Sequence, residues 1–272
     1  MKCSSLTYDV LNSLEVWQRM GVITLDEMRS VKLMNRIDTK YVLSEGEVLE
    51  LLDRAAAAGY RVQIIGSVRA CSYDTLYYDT PQRDMYTVHH NQQLTRQKIR
   101  TRTYLDSDLS FFEIKMKSNR GRTRKRRVEI ERSSFNNFQR DSSAMGLLDD
   151  HSWYEAEELT PALSTRFIRI TLVNAELTER LTIDMALRYE DMRSGRYAVI
   201  DGMAIVELKQ DGRTMSKMRQ ILMQMRIAPL KVSKYCIGTV LTVEGIKANR
   251  FKLKLRDIEK RLGGLNIVTT NR

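Results

Sequence analysis

Cysteine is scarce in this chain of 272 residues. Cys3, Cys71 and Cys236 are too few and too scattered for a disulfide framework or a zinc site. No run of 18 apolar residues occurs, and the opening segment MKCSSLTYDV has no apolar core, so neither a transmembrane span nor a signal peptide is expected. The patterns G-x-x-x-x-G-K-[ST] and G-x-G-x-x-G are both missing, which excludes nucleotide binding by a P-loop or a dinucleotide fold. Histidine is limited to His89, His90 and His151. The first two are adjacent and would face opposite ways on a strand, and the third sits in an acidic stretch, so histidine catalysis is not expected. Internal repeats and low-complexity linkers are lacking too. The expectation is a cytoplasmic protein with one main domain over residues 35–245, a helical N-terminal extension over 1–34 and a basic helix or tail over 246–272.

Charge is abundant. Lys+Arg number 45 against 34 Asp+Glu, for a formal net charge of +11, which points to a polyanionic partner. Residues 83–132 alone hold 14 Lys/Arg and 6 Asp/Glu, so most of the excess lies in under a fifth of the chain. The apolar content of 42% is that of a globular domain.

Helical signals come first. A helix over about residues 8–20 would end at Gly21, and the Thr24/Glu27 capping box would open another over about 25–34. A second box, Ser44 with Glu47, precedes the stripe Val48, Leu51, Leu52 and Ala55, which Gly59 terminates. From about residue 60 the apolar period changes to two. SVRACSYDTLYYDT, QLTRQKIRTRTYL, LSFFEIKMK, KRRVEIERS, STRFIRITLV, ERLTIDMAL and MAIVELKQ alternate, with turn signals between them, and predict an antiparallel meander. The acidic stretch 141–158 interrupts it as a short helix and loop. Helix returns with the stripe Met215, Met218, Ile221, Leu222 and Met225, then with a segment capped by Ser233, then in the basic amphipathic tail ending at Gly263–Gly264.

Successive strand residues face opposite sides of a sheet. One face therefore carries Arg36, Asp38 and Lys40; Lys98, Arg100 and Arg102; Glu113, Lys115 and Lys117; Lys125, Arg127 and Glu129; Arg180 and Asp184; and Glu207 with Lys209. A half-buried sheet alternates polar and apolar residues in any case, but an ordinary solvated face mixes in Ser, Thr, Gln and Asn. Like charges two residues apart repel unless something neutralises them. A bound polyanion would neutralise the cations and a divalent cation the carboxylates. If the sheet closes on itself, the apolar faces turn outward under the helices and the charged faces line a tunnel suited to several phosphates in a row.

The ordered set RIDTKYVL, YYDT, KIRTR, FEIK, KRR, FIR, RLTID, VELK and SKY, over residues 36–235, resembles the catalytic domain of the vacuolar transporter chaperone (VTC) family and its bacterial stand-alone relatives, within the triphosphate tunnel metalloenzymes. The resemblance implies an α+β fold, a closed antiparallel eight-stranded barrel with helices outside. It also implies a polyphosphate polymerase that transfers the terminal phosphoryl group of ATP to inorganic polyphosphate and releases ADP, with Mn²⁺ or Mg²⁺. Carried over by position, the catalytic cations are Lys40, Arg100, Arg102, Lys115, Arg169 and Arg180. Arg36, Lys98, Lys125, Arg127, Lys209, Ser233 and Lys234 would bind substrate, and Glu207 would hold the metal. Asp38 stands where the family has Glu, and Phe167 lacks the usual hydroxyl.

Two alternatives keep the same scaffold: a tunnel triphosphatase or polyphosphatase, and a polyphosphate binder without turnover. A nucleic-acid module built on Arg120–Arg127 is disfavoured because that run contains no aromatic residue to stack bases. The expected partners are ATP and polyphosphate, with no nucleic acid. No membrane partner is encoded in this chain, which leaves recruitment by such a partner through the basic tail open.

Overall fold

A computed structural model describes residues 6–28, 36–212, 215–264 and 267–270. In chain order its elements are α1 (Tyr8–Asn12), β1 (Gly21–Thr24), α2 (Leu25–Met28), β2 (Arg36–Ser44), α3 (Glu45–Ala57), β3 (Arg61–Ile64), β4 (Ala70–Asp79), α4 (Asp84–His90), β5 (Arg96–Tyr104), β6 (Leu109–Lys117) and β7 (Thr123–Ile130). They continue with α5 (Ser142–His151), β8 (Thr160–Val173), β9 (Glu179–Asp191), β10 (Tyr197–Ile200), β11 (Met203–Asp211), α6 (Lys217–Gln224), α7 (Lys234–Thr242), α8 (Asn249–Leu262) and β12 (Ile267–Thr270).

The local signals explain the helices. Ser44 Oγ accepts from the Glu47 amide while the Glu47 carboxylate accepts from the Ser44 amide, so two of the orphan donors of α3 are satisfied reciprocally. Gly59 takes φ +78 just beyond it. The Thr24/Glu27 box also forms, but the helix behind it is described only to Met28, and the remainder of the expected 25–34 segment lies outside the described residues. The single helix expected over 8–20 is instead α1 followed by a 3₁₀ turn over Glu15–Gln18, because Trp17 turns inward and its indole N–H donates to the Leu11 carbonyl. His89 and His90 end α4 rather than lying on a strand, since the Asp79 carboxylate accepts the Met85 and Tyr86 amides and nucleates a helix there.

Eight strands run in the order β2-β11-β9-β8-β4-β5-β6-β7, each antiparallel to its neighbour. Short strands decorate this path: β10 and β12 beside β9, and β3 with its parallel partner β1 beside β8. The expected closed barrel is not formed. Among the described residues no hydrogen-bonded pairing joins β7 to β2, so the sheet curls round without sealing. Lys40 on β2 and Lys125 on β7 are ion-paired on their own sides of the seam, with Glu207 and Glu113, and Arg127 adds a further exposed cation on β7, so no charge complementarity draws the two edges together.

The outward face is apolar and covered. Tyr41, Leu43, Ile170, Leu172, Leu181, Ile183, Val206 and Leu208 pack against Val48, Leu51 and Leu52 of α3 and Met218 and Leu222 of α6. The helix α5 covers β5–β7 through Ala144 and Leu148 against Ile99, Phe112 and Ile114. Part of the inward face is apolar as well, which the alternation did not predict. Val42, Tyr77, Leu163, Leu187, Tyr189 and Ile205 pack with Tyr235, Cys236 and Ile237 of α7. The seat is tight at Gly238, where a Cβ would come within 2.5 Å of the Tyr189 ring and 2.7 Å of the Leu163 side chain. The lumen thus has an apolar end plugged by α7 and a charged remainder.

Candidate functional site

Register brings the charged residues together. Lys40 pairs with Glu207 and Asp38 with Lys209 across β2–β11, and Arg180 stands opposite Lys209 across β9–β11. Arg169 stands opposite Asp184. Arg100 is opposite Tyr77 on one side and Glu113 on the other, while Lys98 lies opposite Lys115, and Lys115 opposite Lys125. Lys115, on β6, feels the charges of Glu207 and Lys40, which lie on strands far from β6 in the pairing order. The faces therefore look at each other across one lumen.

Three carboxylates organise it. Glu113, 1% exposed, accepts from Arg100 Nε (2.7 Å) and Nη2 (2.6 Å) and is ion-paired with Lys125. Asp184, also buried, takes a two-pronged contact from Arg169 at 2.5 and 2.8 Å and a further one from Lys234. Glu207 lies 2.5 Å from Lys40 Nζ and 3.8 Å from Lys209 Nζ. Each carboxylate is shared by two cations, and Asp38 and Arg180, both opposite Lys209, add one charge of each sign, so every cluster retains one formal positive charge. Lys98, Arg102 and Lys115 add three more. Lys98 Nζ donates to Ser233 Oγ at 2.9 Å, and Arg102 Nε donates to Thr75 while its guanidinium lies 5.8 Å from the ring centres of Tyr73 and Phe167.

The electrostatics follow from burial and neighbours. Burial alone would raise the pKa values of Glu113, Asp184 and Glu207, but the cations beside them win and hold all three below the usual carboxylate range. Burial pushes lysines the other way. Lys125 falls to about 7 despite Glu113, because Arg100 and Arg102 add to the desolvation. Lys115 and Lys209 each fall to about 8 despite Glu207. Burial would raise the Tyr77 phenol, yet Arg100, Arg102, Lys98 and Lys234 bring it down to about 8.

Not every expected residue joins a cluster. Arg180 is half-buried on the same face, and Arg127 is exposed at the seam with its guanidinium 4.5 Å from the centre of the Phe111 ring. Arg36 begins β2, and its side chain lies outside the described residues. Sequence reasoning missed the anchoring roles of Glu113 and Asp184, as well as Tyr77, whose hydroxyl accepts from Arg100 at 3.3 Å. Glu113 was legible in principle as an acid two residues from Lys115 on the cationic face.

A divalent cation would find a sparse protein donor set. No group of three His, Cys, Asp or Glu suited to a metal occurs among the described residues. Glu207 is nevertheless 18% exposed to the lumen, and Thr182, opposite it in register, has a buried Oγ with no hydrogen-bond partner. These residues fit an ion held by one carboxylate with the rest of its shell from phosphate oxygens and water, as Mg²⁺ commonly is.

The antiparallel sheet curls round paired carboxylates and surplus cations. The chain belongs to the VTC domain family, whose pattern matches residues 35–243. Among solved structures it is similar to a Hippeastrum protein assigned as an adenylyl cyclase and found to have a dominant triphosphatase activity (15% identity, 78% of this chain and 98% of that one, TM-score 0.48). It is also similar to proteins assigned as adenylate cyclases from Bacillus halodurans (13%, 80% and 100%, TM-score 0.48) and Vibrio parahaemolyticus (13%, 76% and 99%, TM-score 0.44). Comparison with curated proteins finds no match. No helix among the described residues is long and apolar enough to cross a membrane.

Proposed function

We propose that the protein is a polyphosphate polymerase. It takes the terminal phosphoryl group of ATP, adds it to the end of an inorganic polyphosphate chain and releases ADP. The carrying observation is the surplus of cations in the lumen. Three carboxylates are each held by two cations, and Lys98, Arg102 and Lys115 have no direct carboxylate contact among the described residues. Such an array of charge suits a chain of phosphates, whose anionic end brings its own acceptor oxygen.

Phosphoryl transfer asks the protein mainly for positioning and neutralisation of spread charge. Arg100 and Arg169 present planar forks, each fixed by a carboxylate on one edge, while Lys98, Arg102 and Lys115 supply charge not committed to a carboxylate by direct contact. The acceptor oxygen attacks the terminal phosphorus, the bond to the bridging oxygen breaks, and the electron pair leaves with ADP. Charge building on that oxygen is met by the same cations. Glu207 and Thr182 would hold Mn²⁺ or Mg²⁺, which when bound neutralises phosphate oxygens. The apolar end plugged by α7 keeps water from that side of the lumen.

The purified protein incubated with ATP and Mn²⁺ is expected to give a ladder of long chains on a polyphosphate-stained gel, with ADP and little free phosphate. Free phosphate without chains would replace the polymerase with a tunnel triphosphatase. Tight polyphosphate binding without turnover would leave a binding protein.

A further inference from the structure

The hairpin joining β6 to β7 carries a basic run that the lumen does not absorb. Lys117, Arg120, Arg122 and Arg124 line a cavity of about 650 Å³ with Thr95, Met116 and Trp153. Elsewhere on the surface arginines are drawn to acids, as in Arg19–Asp53, Arg54–Glu50, Arg132–Asp108 and Arg166–Asp74. These four cations form no ion pair among the described residues, so their charge is uncompensated. The remaining wall is held in place: the amide of Trp153 donates to the Gln97 side chain, which itself donates to the His151 carbonyl.

The groove is continuous with the lumen. Lys117 lies two residues beyond Lys115 on the same face of β6 and also lines the cavity. Arg96 and Lys231 stand near enough to lower its pKa, after the larger effect of burial. Cations therefore run from Lys98 and Lys115 over the rim at Lys117 to the outer side of the sheet at Arg124, which pairs in register with Met116. A polyanion lying in the lumen has a charged path to follow when it emerges there.

We propose that this groove is a second binding site, which takes the part of a polyphosphate chain that extends beyond the lumen. The inference rests on the polyphosphate reading above and adds a site outside the tunnel. Polyphosphate suits it better than nucleic acid does, because a strand of bases needs successive aromatic platforms and the cavity offers one indole among four cations. A chain with a charge on every unit and no bases meets the cations without leaving a base unstacked.

The test compares a long polyphosphate with tripolyphosphate, which is short enough to stay in the lumen. It uses the full chain and the variant Arg120→Gln/Arg122→Gln/Arg124→Gln, whose changes lie on exposed side chains. Affinity for long chains is expected to fall about tenfold in the variant, three surface contacts being lost, while affinity for tripolyphosphate is unchanged. Trp153 is an internal reporter, being 53% exposed while Trp17 is buried. Its fluorescence should respond to long chains and not to tripolyphosphate, and the response should vanish in Trp153→Phe. Equal long-chain affinity in variant and wild type overturns the site. A Trp153 response to ATP alone assigns the indole to a nucleotide base and also overturns it, as does a single-stranded oligonucleotide that binds the groove more tightly than polyphosphate. Failure of wild type to bind tripolyphosphate would count against the lumen reading instead, and the long-chain comparison would still decide the groove.

Discussion

Lys98 and Ser233 share one hydrogen bond that links the lumen to its plug. The lysine ammonium on β5 donates at 2.9 Å to the hydroxyl that also accepts from the Cys236 amide and caps α7. Ser233→Ala removes the cap and frees the lysine together. Denaturant unfolding should show a loss of about 1 kcal/mol, the usual worth of such a cap. The variant should also show a raised KM for ATP, because α7 carries Lys234 to Asp184. An unchanged KM would separate the plug from the site.

Lys115 and Arg100 should differ in what they cost. Lys115 makes no direct ion pair among the described residues, so Lys115→Ala is expected to remove about 3 kcal/mol of transition-state stabilisation, some hundredfold in kcat, with unfolding unchanged. Arg100→Ala should lose activity as severely and destabilise the fold by about 3 kcal/mol, because buried Glu113 would keep only Lys125 in contact. Parallel assays and melts on the two variants check this. The burial of Glu113 is what separates the two variants.

Acid should loosen the protein through Asp184 and Glu113. Both titrate in the fold below their ordinary values of 3.8 and 4.5. Their contribution is present above those values and is lost as pH falls through and below them. Unfolding free energy measured from pH 6 to pH 3 should decline, and Asp184→Asn should show a shallower decline even though it starts lower. An equal slope in the variant would remove Asp184 from the account.

Alkaline pH should weaken polyanion binding. Lys125, near 7, loses its charge and Tyr77, near 8, gains a negative one as pH rises from 7 to 9. A bound polyanion favours the protonated form of both, so binding takes up protons in that range. Calorimetry of tripolyphosphate binding in buffers of different ionisation enthalpy should show the uptake. Lys125→Met and Tyr77→Phe should each reduce it, which separates the protein's protons from those of the ligand.

Much of the fold could be read from period and punctuation. The alternation in QKIRTRTY, FFEIKMK and MAIVELKQ places Lys98, Arg100, Arg102, Lys115 and Glu207 on the inward face, where the structure has them. Ser44 with Glu47 and Ser233 mark helix starts because caps act through the nearest amides. What escaped depends on partners distant in sequence. That Glu113 holds both Arg100 and Lys125, or that Asp184 holds Lys234 from fifty residues away, is set by register and by the seating of α7. The same seating turns Val42, Ile205 and Tyr189 into core on a face that is charged elsewhere. The seam is equally invisible to alternation, since β7 carries the inward pattern of a strand paired on both sides.

Among the described residues β7 is paired along one edge only, and a bare strand edge is a template on which a second copy of a chain can add its own. Here that edge carries Arg124, Lys125, Arg126 and Arg127 in succession, most of them exposed. Two such edges brought together would set eight cations against one another. The cations assigned to a phosphate polymer in the proposed function would therefore also act as gatekeepers against self-association, and neutralising them would invite the sheets of neighbouring molecules to join.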